Sequence, residues 1–172
     1  LYVHGGIYLD MDIVCRKNLD PFLKYNFFTT VCNDHFYSFY KRYHNATIGA
    51  KPQHPLFLVM FKNIFNRMSH MSNVTYSTGT RLFYDSVKEY MSSTNDTDVT
   101  IIDPKYLNPC KKMDGDKCPY DCDECYIAHL DNGSWLHGPV KIWNKYIAKN
   151  FKMIFYISIA IVLTIFFFKM SR

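Results

Sequence analysis

Two carboxylates one residue apart, reached through a glycine pair and a short apolar run, constrain this chain most: Gly5-Gly6-Ile7-Tyr8-Leu9-Asp10-Met11-Asp12. Glycines accept the backbone angles of a tight turn. Ile7-Tyr8-Leu9 reads as a strand entering a core. Residues i and i+2 of a strand project to the same side, so Asp10 and Asp12 can converge just past the strand end. Carboxylates so placed repel each other unless a cation or several donors neutralise them. Hard divalent cations take oxygen ligands, and Mg²⁺ or Mn²⁺ commonly combines one or two carboxylates with substrate phosphates. The pair points to a site for a metal and a phosphorylated ligand. A bare Asp-x-Asp is more often a solvated turn; the glycine–strand context favours the site.

The rest of the chain has the means to build a fold around that site. Its 172 residues suit a single domain, and Phe and Tyr, at 14 each, supply a sizeable core. The net charge of +5 is carried by scattered basic residues with no stripe interleaved with aromatics. Nucleic acid is therefore excluded as an expected partner, while a basic pocket for a nucleotide diphosphate is compatible.

Periodicity predicts a mixed α/β order. Residues 1–14 read as the motif strand, Phe27–Cys32 as a second, Ala46–Ala50 as a short third and Val99–Ile102 as a fourth; residues 36–43 are ambiguous between strand and loop. Pro55 suits the first turn of a helix. Leu56, Val59, Met60 and Ile64 form one stripe and Phe57, Phe61 and Phe65 another, so that helix is expected to be buried over a wide arc. A second helix is expected over Arg81–Met91, with Phe83, Val87 and Tyr90 inward and Asp85, Lys88 and Glu89 outward, followed by a polar loop over Ser92–Thr97.

Cys110, Cys118, Cys122 and Cys125 crowd the loop 108–125. They fit structural zinc or two disulfides; the seven-residue gap within the first pair is wide for a zinc knuckle and favours disulfides. The acids Asp114, Asp116, Asp121 and Asp123 do not follow a calcium-loop pattern, because Gly115 is misplaced for one. Pro139–Lys149 reads as a helix carrying Val140, Trp143 and Ile147 on one side. Residues 153–168 then run without a charge, flanked by Lys152 and Lys169 that can snorkel. With Trp143, Tyr146 and Tyr156 as belt residues, this is expected to be a C-terminal membrane anchor; the alternative is a buried terminal helix.

The octapeptide, together with Leu19-Asp20-Pro21, resembles the core of the DXD glycosyltransferases of family 32, which include the fungal outer-chain mannosyltransferase and the mannosyl phosphorylinositol ceramide synthases. The large clostridial glucosylating toxins carry a related motif. Further elements are similar in order and spacing as far as about Trp135: Asn45 ahead of His54-Pro55, Ser77-Thr78-Gly79-Thr80 (with Thr80 where the family has Pro), and His129 through Gly133-Ser134-Trp135. The octapeptide with Gly-Ser-Trp is the specific combination; the other two elements are weak singly.

The resemblance implies a partial GT-A, Rossmann-like nucleotide-sugar transferase domain over 1–138, to which the periodicity and hydropathy above add a juxtamembrane helix over 139–152 and a transmembrane helix over 153–168. It implies that a nucleotide-binding βαβ region precedes Leu1 in family members, so the chain is expected to be an N-terminally truncated piece. It implies transfer of a hexose, foremost mannose from GDP-mannose with a UDP-hexose as the other donor, to a glycan or an inositol phosphorylceramide-like glycolipid, with Mn²⁺ or Mg²⁺. Asp12 is the implied direct metal ligand. Asp10 would hold the donor ribose or sugar, or reach the metal through water. His129 or Ser134 would supply a further ligand, and Trp135 would donate its indole N–H to the leaving oxygen. Gly6, Tyr8, Asn45, Thr78 and Gly79 would line the donor or acceptor. The family implies retention of configuration, but no residue stands out as a nucleophile.

Compartment signals conflict. Lys141, Lys145, Lys149 and Lys152 before the charge-free run place the domain in the cytosol by the positive-inside rule. The sequons at Asn45, Asn73 and Asn95 and the cysteines suit a lumen, and the resemblance to Golgi enzymes tips the expectation to the secretory lumen. Asn132 also opens a sequon, one that a site role for Ser134 would leave unglycosylated. Two rivals stand beside the transferase. In a haloacid-dehalogenase-like phosphatase, Asp10 would be nucleophile, Asp12 acid/base, and Gly115–Asp121 the late acidic motif. The other rival is an inactive membrane-tethered remnant.

Overall fold

Gly5 and Gly6 both take positive φ, 65° and 101°. A side chain at Gly5 would meet Pro52 and the carbonyl of Ala50, so glycine there lets the chain turn hard against residues 50–52 before the motif strand starts. The computed structural model describes residues 1–32, 42–94, 98–109, 122–130 and 149–170, with the side chains of the last segment described over 153–166.

The described elements follow one another as β1 (Gly6–Leu9), β2 (Ile13–Cys15), β3 (Phe27–Val31), β4 (Tyr43–Ala50), α1 (Leu56–Asn66), α2 (Val74–Ser77), α3 (Thr80–Ser93), β5 (Val99–Ile102), α4 (Pro104–Leu107), β6 (Ile127–His129) and α5 (Lys149–Met170). The mixed α/β class expected from the sequence is present. Four strands form one sheet in the order β1-β4-β3-β5, antiparallel except for the β3–β5 pair. A separate antiparallel ribbon joins β2 to β6.

Each face of the main sheet has its own core. On one, Phe27, Ile48, Ala50 and Val99 pack against Leu56 and Phe57 of α1 and Phe83, Val87 and Tyr90 of α3. On the other, Phe28 and Ile102 meet Phe22, Leu107 and Ile127, with Ile7, Leu9 and Ile13 at the margin. A Cβ at Gly49 would overlap the Phe28 ring, so glycine is what lets that ring lie flat across β4. His54, quoted above for the weak His-Pro resemblance, is a core residue. It is buried between Phe27 and Tyr90, and its Nε2 lies 2.9 Å from Asp98, joining the start of α1 to the approach to β5.

Four expectations from the sequence differ from the structure. The motif is not one strand over 1–14: β1 ends at Leu9, the chain turns through Asp10–Asp12 with the Ile13 N–H donated to the Asp10 carbonyl, and β2 begins afterwards. The turn forms because the two acids gain by standing outside the apolar sheet. The helix after Pro55 is not buried over a wide arc: Leu58, Phe61 and Phe65 are exposed. Its inner side includes Asn63, which donates to Ser86 and Glu89 of α3; a buried amide with two partners displaces part of the apolar arc to the surface. The third strand is longer than Ala46–Ala50, and the second helix extends to Ser93.

The chain divides into two compact units, residues 1–111 with 118–130, and residues 112–117 with 131–172. In the second, α5 is a 22-residue helix whose described side chains from Met153 to Phe166 are all exposed. Among the described residues no helix is long and apolar enough to cross a membrane. The helix expected over Pro139–Lys149 lies outside the described residues up to its last position.

Candidate metal and donor site

The turn after β1 is held from two directions. The Asp10 N–H extends the β1–β4 ladder by donating to the Ala46 carbonyl at 2.9 Å. The Asp12 carbonyl extends the β2–β6 ribbon by accepting from the Leu130 N–H at 2.9 Å. Because β2 and β6 run antiparallel with Ile13 opposite His129, the end of β6 comes down beside the turn. His129 Nε2 then lies 3.1 Å from Asp12 Oδ1, the separation of an N–H donated to a carboxylate.

Asp10, Asp12 and His129 each offer one ligand atom, and these atoms all lie within 4.8 Å of one another. All three side chains are partly buried, so the cluster is reachable from solvent but backed by protein. Two carboxylate oxygens and one imidazole nitrogen are donors that divalent cations accept. The fit to a divalent ion is thus carried by donor chemistry and convergence together.

Tyr8 borders the cluster. Its hydroxyl donates to Asp10 Oδ1 at 2.7 Å. That bond, with partial burial and the negative charges of Asp10 and Asp12, pushes the phenol up to about 12. Tyr8 therefore remains a neutral donor through the physiological range and orients one Asp10 oxygen, leaving the other for a ligand. Gly6, two residues earlier in β1, pairs with Ala50 and presents open space where a side chain would stand.

The remaining expected site residues are dispersed. Asn45 lies on β4, one residue before the Ala46 carbonyl that holds Asp10, on the strand that borders the motif turn. Thr78 and Gly79 form the junction of α2 and α3: the Thr78 hydroxyl donates to Val74 and the Gly79 carbonyl accepts from Phe83, so they serve helix packing there. Ser134 and Trp135 lie outside the described residues, as do Cys110, Cys118 and the segment Gly115–Asp121. Cys122 and Cys125 form a disulfide, which closes the turn feeding β6; the Lys17 ammonium donates to the Asp123 carbonyl in that turn.

Sequence reasoning missed His44. Its ring meets that of His129 edge to face, with centroids 5.0 Å apart. The one available signal was its position next to Asn45.

Residues 1–29 match the glycosyltransferase sugar-binding region containing the DXD motif. That match falls on the region the motifs single out, and each relative below is a glycosyltransferase or a sugar-transferring synthase by name. It is 50% identical over 135 residues to an uncharacterized glycosyltransferase of Acanthamoeba polyphaga mimivirus, an alignment covering 78% of this chain and 53% of that protein. It is 35% identical over 83 residues to inositol phosphoceramide mannosyltransferase 3 of Schizosaccharomyces pombe, covering 46% and 22%. A mannosyl phosphorylinositol ceramide synthase of Saccharomyces cerevisiae is 36% identical over 61 residues, covering 36% and 15%. The chain thus spans about half the length of the viral relative and less of the yeast ones. No solved structure matches it.

Proposed function

We propose that this chain forms the catalytic portion of a metal-dependent glycosyltransferase that moves a hexose, with mannose from GDP-mannose as the first choice and a UDP-hexose as the second. The acceptor is a glycan or an inositol phosphorylceramide-like glycolipid. The observation that carries the reading is the convergence of Asp10, Asp12 and His129 within 4.8 Å, at the motif matched by the sugar-binding region.

Breaking the bond from the anomeric carbon to a nucleotide diphosphate builds charge on the leaving phosphate oxygen. A divalent ion, when bound, supplies Lewis-acid neutralisation of that charge. The chain's own groups prepare the place. Asp12 and His129 would hold Mn²⁺ directly, with Asp10 aligned by the Tyr8 hydroxyl to take the donor ribose or sugar, or to reach the ion through water. Ser134 would complete the ligand set and Trp135 would donate its indole N–H to the leaving oxygen. The names of the two yeast relatives support mannose and a ceramide-linked acceptor.

The charge-free sequence run 153–168, flanked by Lys152 and Lys169, is the support for a single-pass C-terminal anchor, and the Cys122–Cys125 disulfide supports the secretory-lumen side. An anchor would hold the site near a lipid-linked acceptor.

Calorimetry with GDP-mannose and UDP-glucose, with and without Mn²⁺, tests the donor and the ion. The expected result is Mn²⁺-dependent heat with one nucleotide sugar, abolished in Asp12→Asn, with transfer in that variant lowered by about 10²–10³-fold. Transfer retained by Asp12→Asn, or binding indifferent to Mn²⁺, sinks the reading.

A further inference from the structure

The strand that carries Asn45 and Ala46 is irregular. Phe28 pairs with Gly49 and Thr30 with His44, so two steps along β3 match five along β4. Paired residues share a face, and Phe28 and Thr30 are on one face of β3. The irregularity therefore puts Gly49 and His44 on the same face, although regular alternation over five residues would put them on opposite ones. That face is the one where Phe28 packs with Ile127 of β6. His44 is buried at 8% exposure, and the Thr29 hydroxyl donates to its carbonyl at 2.6 Å, fixing the backbone inside the irregular stretch. Its ring then meets the His129 ring edge to face, 5.0 Å between centroids and 72° between planes.

We propose that His44 is a positioning residue: its ring holds the His129 imidazole in the plane that keeps Nε2 directed at Asp12. An imidazole turns easily about its second side-chain torsion, which is broad rather than three-welled. β6 is only three residues long, with Ile127 and Ala128 buried and the His129 ring at its end. Asp12 restrains the ring at Nε2, and the His44 ring restrains its plane. An irregular strand beside a functional site commonly re-aims one side chain, and here that side chain is His44. The role of His129 as an ion ligand rests on the reading proposed above; the orientation of its ring does not.

The test uses the full chain as wild type, His44→Ala and His44→Phe, with His44→Leu in reserve should the alanine variant not fold. In the metal-free chain, ¹³C relaxation of the His129 ring, assigned by its loss in His129→Gln, reports whether the ring is held. A rigid ring is expected in wild type and His44→Phe and a mobile one in His44→Ala or His44→Leu. Mn²⁺ titration is expected to weaken about tenfold in His44→Ala and to recover in His44→Phe. An equally rigid His129 ring in the alanine or leucine variant overturns the proposal, as does an unchanged Mn²⁺ affinity. A mobile ring in His44→Ala with no Mn²⁺ binding by wild type would uphold the positioning role and overturn the metal reading instead.

Discussion

Single residues in this chain do work that their identity half announces. Gly5 and Gly6 were read as a turn because glycine accepts positive φ, and both adopt it. Gly49 gave no such notice: its necessity comes from the Phe28 ring lying over it. Gly49→Ala is expected to cost about 1–3 kcal/mol of stability through overpacking, measured as the shift in urea midpoint at constant slope; an unchanged midpoint would mean the ring can move aside. The Asp pair reads as a cation-binding type, and His129 enters through the family resemblance. Nothing local in the sequence could bring them together, since Asp12 and His129 are 117 residues apart. The resemblance puts Tyr8 beside the ligand; its bond to Asp10 appears only in the fold.

At the scale of elements, periodicity found the strands that became β3 and β5 and the helices that became α1 and α3, because apolar patterning is short-range. It overstated the burial of α1, where Asn63 faces α3 and Phe65 faces solvent. The contact between the two helices is polar as well as apolar. Asn63 and then Lys62 donate to Glu89 and hold its carboxyl below the usual glutamate range. A lowered pKa in the folded state contributes stability that is present above the ordinary glutamate pKa and is lost as pH falls through the lowered one. In Asn63→Ala, carbon-detected titration of Glu89 should show its pKa rising toward the ordinary value. Stability at neutral pH should fall by about 1–3 kcal/mol, because the buried Ser86 hydroxyl loses its partner. A Glu89 titration identical in the two chains would refute the assigned cause.

The molecule as a whole joins a sheet with two cores to a C-terminal helix, and the proposed anchor belongs to this scale. Expressed in eukaryotic cells, the chain should stay with membranes through alkaline extraction, and a chain lacking 153–170 should be released; release of the intact chain would remove the anchor from the proposal. The sequon at Asn45 sits within β4 between buried neighbours, whereas acceptor sequons lie in surface loops, so no glycan is expected there in a mass spectrum of the secreted or lumenal form, and its detection would contradict the strand.

The sequence alone determined the turn at Gly5-Gly6, the run of elements, and the residue types for a cation and phosphate site, because backbone freedom, apolar period and ligand chemistry are local properties. Only the tertiary structure decided that His129 reaches Asp12 and that His44 stands against it. Both depend on strand pairing between distant segments and on a register irregularity in β4, and pairing partners and register are set by the packing of the whole sheet rather than by any neighbouring residues.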